Sequence, residues 1–346
     1  MGLTQWHLSQ YALTPGDATP VAPLVKIDGV SSETHRGTIM LTDVYLQSLT
    51  AFQWLQFQFS AHVEFVSANQ LVEPGVPTDE LNAQGYLEMS DSKQGAEVSA
   101  FRALGWKVPA TATGAVINAV VASSPARSAH LRVADEIVAV NGKAVTSTCA
   151  LIAAVHDVAP KTLVRLSVNR ATISSKGVIT WRPTSVVPVI TAAPPKSLGS
   201  SGCPGVNGIG TSWLGISLES GVHYALPATI SINTANIGGP SAGLAMTLTL
   251  IDKLSRSSIT GGQSIAATGT IDVHGSVGDV GGVAEKTVAV QRGGAKYFLV
   301  PQVEVSTARH AASPGLTIIG VNTLAQALRD LRTLGGATPV PLTAPR

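Results

Sequence analysis

Two short segments hold the residues whose types and spacing could do chemistry. The first, IGGPSAGLAM, sets Ser241 between Pro240 and Ala242-Gly243 at the head of an apolar, helix-like run. The second, GDVGGVAEKTVAVQRGGAKYFLVP, sets Lys286 inside another helix-like run, 45 residues further on (286 − 241). A serine hydroxyl is a weak nucleophile until a base takes its proton. No histidine accompanies either segment, so the lysine is the candidate base. For that work it needs a lowered pKa, which burial provides, and Val283, Val288 and Val290 supply apolar neighbours. Pro240 suits a first helical turn because it lacks an N–H that would go unpaired there. This places Ser241 at the positive end of a helix, where the N–H groups of Ser241 and Ala242 would hold the oxyanion of an acyl-transfer intermediate. Taken singly, each residue has a plainer reading: serine is a favoured N-cap, and a lysine on an amphipathic helix is usually solvated.

The elements that must position these residues form an alternation. Residues 1 to about 110 give strands at 21–27, 37–46 and 62–68, then a helix over 79–104 with Ser90 or Asp91 as N-cap and Gly105 as stop. Residues 113–170 give a strand at 115–120, an SSPA turn, a short helix near Ala129 and a strand at 136–140. An Asn141-Gly142 turn, a helix at about 147–157 and a strand at 163–168 follow. A strand is expected at 186–190. Residues 194–208, rich in Pro, Gly and Ser, read as a linker. WLGISL, ATISINTA, SIAATGTID, KYFLVP and LTIIGV then read as strands, alternating with helices at GGPSAGLAMTLTLIDKLS, GVAEKTVAVQRGG and TLAQALRDLRTLG. The mixture makes an α+β class.

Composition narrows the rest. With 45% hydrophobic and 13% charged residues in 346, the chain can form two or three domains with a sizeable core. A formal net charge of +2 gives no footprint for nucleic acid or an anionic membrane surface. The two cysteines, Cys149 and Cys203, do not have a metal-ligand spacing, and whether they pair is open; no metal and no cofactor are expected. No run of 18 or more apolar residues spans a bilayer, and the polar start, MGLTQWHLSQ, reads as no signal peptide.

Residues 113–193 resemble a PDZ domain, through SPA, ADEIVAVNGK and the helix before the last strand. That resemblance implies a peptide groove between the strand at 115–120 and the helix at about 147–157, with the amides of Gly114, Ala115 and Val116 facing a peptide carboxylate. Residues 210–335 resemble the proteolytic domain of the Lon family, through GPSAG, ITGG (259–262), TGTIDVHGSVGDVGGVAEK and GGAKYFLVP. The resemblance makes Ser241 the nucleophile, Lys286 the base, and Thr268 the residue that holds the lysine amine. The chain departs from the Lon pattern in two ways. Gly238 stands where an acidic residue usually precedes the box, and there is no G-x-x-x-x-G-K-[ST] phosphate loop.

The combination is similar to bacterial PDZ-containing Lon-like proteases, a likeness that YALTPG (11–16) and LTDVYL (41–46) extend. It implies an ATP-independent serine endopeptidase acting on unfolded or extended polypeptides, which the PDZ-like domain recognises, by the C-terminus, or gates. It further implies a homo-oligomer, a hexameric ring, tethered outside the cytoplasm by an N-terminal membrane helix that this chain lacks. The expected division is an N-terminal region (1–112), the PDZ-like domain (113–193), the linker (194–208), the proteolytic domain (209–336) and a loose tail (337–346). Two other readings are weaker. His223 and His274, with Asp272 and Asp279, match no known triad spacing. A PDZ-bearing adaptor with a dead protease domain would often have lost Ser241 or Lys286.

Overall fold

The structure is a computed structural model that describes residues 7–60, 62–67, 77–174, 178–183, 186–206, 208, 210–234 and 237–343. Its first elements are β1 (His7–Pro20), β2 (Val25–Asp28), β3 (Thr38–Thr50), α1 (Ala51–Phe57), β4 (Glu64–Ser67) and α2 (Thr78–Ala103). A middle set follows: β5 (Ala110–Val120), α3 (Pro125–Ser128), β6 (Glu136–Val140), β7 (Lys143–Ala144), α4 (Thr148–His156), β8 (Leu163–Ile173), β9 (Ile179–Pro183), β10 (Val187–Ile190) and β11 (Ile216–Tyr224). The last set is β12 (Thr229–Ile232), α5 (Gly243–Leu254), β13 (Ser264–Ala267), β14 (Thr270–Ile271), β15 (Val277–Gly278), α6 (Val283–Arg292), β16 (Tyr297–Pro301), α7 (Val305–Ala311), β17 (Thr317–Val321) and α8 (Leu324–Thr333). Helices and strands are mixed, as expected. Ala68, Ala235 and residues 344–346, parts of expected elements, lie outside the described residues.

The chain divides into two units. One gathers residues 1–73, 88–108 and 226–346, and the other residues 74–87 and 109–225. The first is built on a six-stranded sheet of order β17-β16-β13-β3-β1-β4. β3, β13, β16 and β17 run parallel, while β1 is antiparallel to both β3 and β4. All of α5 is buried except Asp252 and Lys253. Val283 and Val290 of α6 pack with Phe298, Val300, Val305 and Ala308. Burying such apolar side chains contributes about 1.5–3 kcal/mol each.

The sequence-based division at residue 112 needs correcting here. The N-terminal strands belong to the same sheet as β13, because Thr38–Met40 pair with Ser264–Ala266. No local pattern announces a pairing between segments so far apart in sequence. β1 was not foreseen because Pro15-Gly16 interrupts its run. The register slips between Pro15 and Ala18, and a side chain on Gly16 would run into the Asp43 carboxylate. Helix α2 also differs: it continues through Ser90 and Asp91 without a cap there, starting at Thr78 with Asp79 and Glu80 in its first turn.

The second unit holds the sheet β10-β8-β6-β5-β11, with β7 on β6 and β9 on β8. Ile117, Ile137, Leu151, Val164, Leu166 and Leu214 are among its buried core. Arg127 forks onto both Glu80 carboxylate oxygens at 2.5 and 3.0 Å. β11, expected in the later domain, pairs along β5 from Ile216–Val120 to Tyr224–Ala110 and so belongs here. Residues 194–208 are more than a linker, because Cys203 is buried and disulfide-bonded to Cys149 on α4.

Candidate active site

The GPSAG segment does not start its helix where the proline pattern predicts. α5 begins at Gly243 with Ala242 as N-cap, so Pro240 and Ser241 form a turn ahead of it. The reason lies in the Ser241 carbonyl. In a helix it would accept the N–H of Ala245. Here it is drawn sideways, accepting the Gly269 N–H at 2.9 Å and the Thr268 hydroxyl at 3.2 Å. Ser241 is therefore not the N-cap, and the plainer reading of it as a cap does not apply.

The turn is closed by the Gly243 N–H donating to the Pro240 carbonyl at 3.3 Å. Ser92 of α2 donates its hydroxyl to the same carbonyl at 2.9 Å. A Cβ on Gly243 would lie 2.7 Å from the Ile271 side chain and 3.0 Å from the Ser92 hydroxyl, so only glycine fits there. The N–H groups of Ser241 and Ala242 have no acceptor among the described residues. Two neighbouring free amides at a half-buried serine can stabilise a developing oxyanion.

Lys286 lies one turn into α6, which starts from Gly282 in the left-handed conformation (φ 67°). The residue is 3% exposed. Burial pulls its pKa from 10.5 down to about 8, against the opposing pull of Glu304, Asp43 and Glu285. Among the described residues none of these carboxylates forms an ion pair with it. Two of the three are held by backbone amides: Asp43 Oδ1 accepts Asp17 N–H and Glu304 Oε1 accepts Val280 N–H, each at 2.7 Å. Glu285 is buried, and its Oε2 has no hydrogen-bond partner among the described residues. Burial raises the pKa of all three acids, which weakens their hold on a proton-bearing lysine.

Thr268 is fully buried, and its hydroxyl goes to Ser241 rather than to the lysine. No hydrogen bond joins Lys286 Nζ to Ser241 or Thr268 among the described residues. The structure thus joins Thr268 to the Ser241 carbonyl by a hydrogen bond and leaves Lys286 buried, with a lowered pKa. The histidine candidates fare poorly. His274 is exposed, and Asp272 is occupied by the N–H groups of His274 and Ser276 at 2.8 Å each. His223 is exposed on β11 of the other unit. Sequence reasoning missed Ser92 and Glu304, which sit in no quoted motif, and Asp43, which lies in the LTDVYL segment but was given no role there.

The family model for the Lon protease (S16) C-terminal proteolytic domain matches residues 220–331. These residues are a Lon-type proteolytic domain. The curated proteins similar to this stretch include a Lon protease of Treponema pallidum, 40% identical over 67 residues, which are 19% of this chain and 7% of that protein. A Lon protease of Rickettsia felis is 33% identical over 94 residues, 26% of this chain and 12% of that protein. One of Azospirillum brasilense is 34% identical over 94 residues, 26% and 11% respectively. The chain therefore spans only about a tenth of the length of these relatives. A second family model, for a PDZ domain, matches residues 91–176. The chain is also similar to the crystal structure of the PDZ domain of an SdrC-like protein from Listeria monocytogenes. The TM-score is 0.22 and the identity 19%, covering 31% of this chain and 87% of that one.

The PDZ groove was expected on the wrong strand. β5 is paired on both edges: Ala115 lies opposite Ile137 and Ser220, and Val116 opposite Glu136 and Glu219. Gly114 faces Gly221. A strand with both edges paired offers no row of free amides to a peptide. The open groove is the one between α4 and the start of β11. It is a cavity of about 570 Å³ with Leu151, Ile152 and Val155 on one side and Trp213, Leu214 and Ile216 on the other. Residues 198–203, tied to α4 by the disulfide, form part of its rim. The N–H groups of Leu214 and Gly215 have no acceptor among the described residues. The WLGI segment, a glycine amid apolar residues, was the available signal. Among the described residues no helix is long and apolar enough to cross a membrane, and no cluster of His, Cys, Asp or Glu could hold a metal ion.

Proposed function

We propose that this chain is a serine endopeptidase in which Ser241 attacks the scissile carbonyl, Lys286 takes the serine proton, and the Ser241 and Ala242 amides stabilise the oxyanion. The observation that carries the reading is the buried Lys286, its pKa lowered to about 8 and without an ion-pair partner among the described residues, in a Lon-type proteolytic domain. A neutral amine at near-physiological pH is what a general base must be. Catalytic hydrogen bonds in unliganded sites are often long and tighten only with substrate, so the absence of an Nζ–hydroxyl bond is compatible with the role.

The substrates in this reading are unfolded or extended polypeptides, cleaved without ATP. The α4–β11 groove takes an apolar peptide end, with its carboxylate on the Leu214 and Gly215 amides. The Cys149–Cys203 disulfide supports a location in an oxidising compartment outside the cytoplasm. Tethering to a membrane and assembly into a ring that encloses the active sites complete the proposal. Ring closure would admit extended chains and spare folded ones.

The test is hydrolysis of an unfolded protein such as casein, without nucleotide, by the wild type and by Ser241→Ala. Cleavage by the wild type and loss of at least about a thousandfold in the variant are expected. Equal cleavage by both would rule out Ser241 as nucleophile.

A further inference from the structure

The two amides assigned to the oxyanion each belong to a peptide plane whose carbonyl is gripped from the far side. In a trans peptide the C=O and the following N–H point in opposite directions within one plane, so fixing one aims the other. Among the described residues there are no cis peptides. The plane that carries the Ser241 N–H ends in the Pro240 carbonyl, which accepts the Ser92 hydroxyl at 2.9 Å. The plane that carries the Ala242 N–H ends in the Ser241 carbonyl, which accepts the Thr268 hydroxyl at 3.2 Å and the Gly269 N–H at 2.9 Å.

Both hydroxyls are buried, Ser92 at 3% exposure and Thr268 at 0%. Ser92 comes from α2, outside residues 220–331, and is wedged against the space that Gly243 leaves empty. A buried hydroxyl bonded to a carbonyl adds to stability wherever it lies. Its direction is what matters here. Without Ser92 the Pro240–Ser241 plane is held, among the described residues, only by the 3.3 Å bond from Gly243, which is long for an N–H···O contact. The Ala242 plane would keep its Gly269 bond if Thr268 lost its hydroxyl.

We propose that Ser92 and Thr268 are positioning residues that aim the Ser241 and Ala242 amides at the oxyanion by clamping the opposite ends of their peptide planes. Ser92 is the more important, because its plane has no second strong tether. Neither residue touches the reacting atoms. This gives Thr268 a role other than holding the lysine amine. The proposal rests on Ser241 being the nucleophile and does not depend on Lys286 being the base.

The test compares kcat, KM and the affinity of a peptide boronate, whose tetrahedral adduct with serine places an oxygen where the oxyanion forms. Ser92→Ala should lower kcat and boronate affinity in parallel, by about tenfold or more, a milder loss than removing a donor outright. KM should stay within about twofold, since ground-state binding is untouched. Thr268→Val should show the same pattern to a smaller degree. Ser92→Thr, which keeps the hydroxyl, should restore both quantities. The inflection of the pH profile should not move in any of these variants, because Lys286 keeps its surroundings. If Ser92→Ala loses thermal stability while kcat and boronate affinity stay at wild-type values, the hydroxyl is structural and the proposal fails. If Thr268→Val instead shifts the pH inflection, Thr268 acts on the lysine and its part of the proposal fails. A wild type that binds no boronate, or binds it as well after Ser241→Ala, would overturn the nucleophile assignment itself, an outcome separable from the others.

Discussion

The proteolytic unit and the PDZ unit leave backbone amides unpaired in different ways. In the first, a turn is pulled out of its helix. The Ser241 carbonyl is taken by Gly269 and Thr268, and the amides on the other side of the turn are left free. In the second, the free amides of Leu214 and Gly215 stand just ahead of β11, an edge strand of its sheet. One arrangement is held from behind by buried hydroxyls. The other opens onto an apolar groove whose rim is held by a disulfide. The lesson is that a free N–H is a candidate site only where something else fixes its direction.

Removing the disulfide should separate the two units most sharply. It closes a loop of 54 residues, so replacing both Cys149 and Cys203 by serine should cost the PDZ unit about 4 kcal/mol by the loop-entropy estimate. Urea unfolding monitored under non-reducing conditions would measure this. The reaction of Ser241 with a fluorophosphonate should be unchanged in the same variant. A loss of both together would mean that the units are not energetically separate.

A smaller effect is expected in the groove. Ile152→Asp puts a charge into an apolar lining and should weaken binding of a peptide with an apolar C-terminal residue about tenfold, or 1.4 kcal/mol. Fluorescence anisotropy would read it. Amidating the peptide should weaken binding to the wild type as well, if the Leu214 and Gly215 amides hold the carboxylate. Unchanged binding in both experiments would leave the groove without a peptide role.

The two regions also differ in how far the sequence revealed them. GPSAG, the AEK segment and the Asn141-Gly142 turn are local signals, and the elements around them formed close to where they were expected. What stayed hidden depends on pairing between distant segments. β1 is broken by Pro15-Gly16. β3 reaches β13 across most of the chain, and β11 joins β5 after an intervening stretch of about ninety residues. The groove was misplaced for this reason: the strand beside α4 is contributed from beyond the apparent linker. Ser92 was invisible because a serine in a helix of small residues carries no mark of the carbonyl it will meet. The start of α5 was misjudged because Pro240 fits a first turn well, and only the competing bonds to Ser241 exclude it.

The central claim is that a buried, neutral Lys286 activates Ser241. The most direct measurement is the rate at which a fluorophosphonate labels Ser241 between pH 6 and 10, in the wild type and in Lys286→Ala. With a pKa of about 8, the neutral fraction of Lys286 rises from about a tenth at pH 7 to a half at pH 8. The wild-type rate should therefore climb about fivefold over that interval and level off above pH 9, while the variant stays low and flat. A variant that labels as fast as the wild type, or a wild-type rate that does not change with pH, would contradict the account.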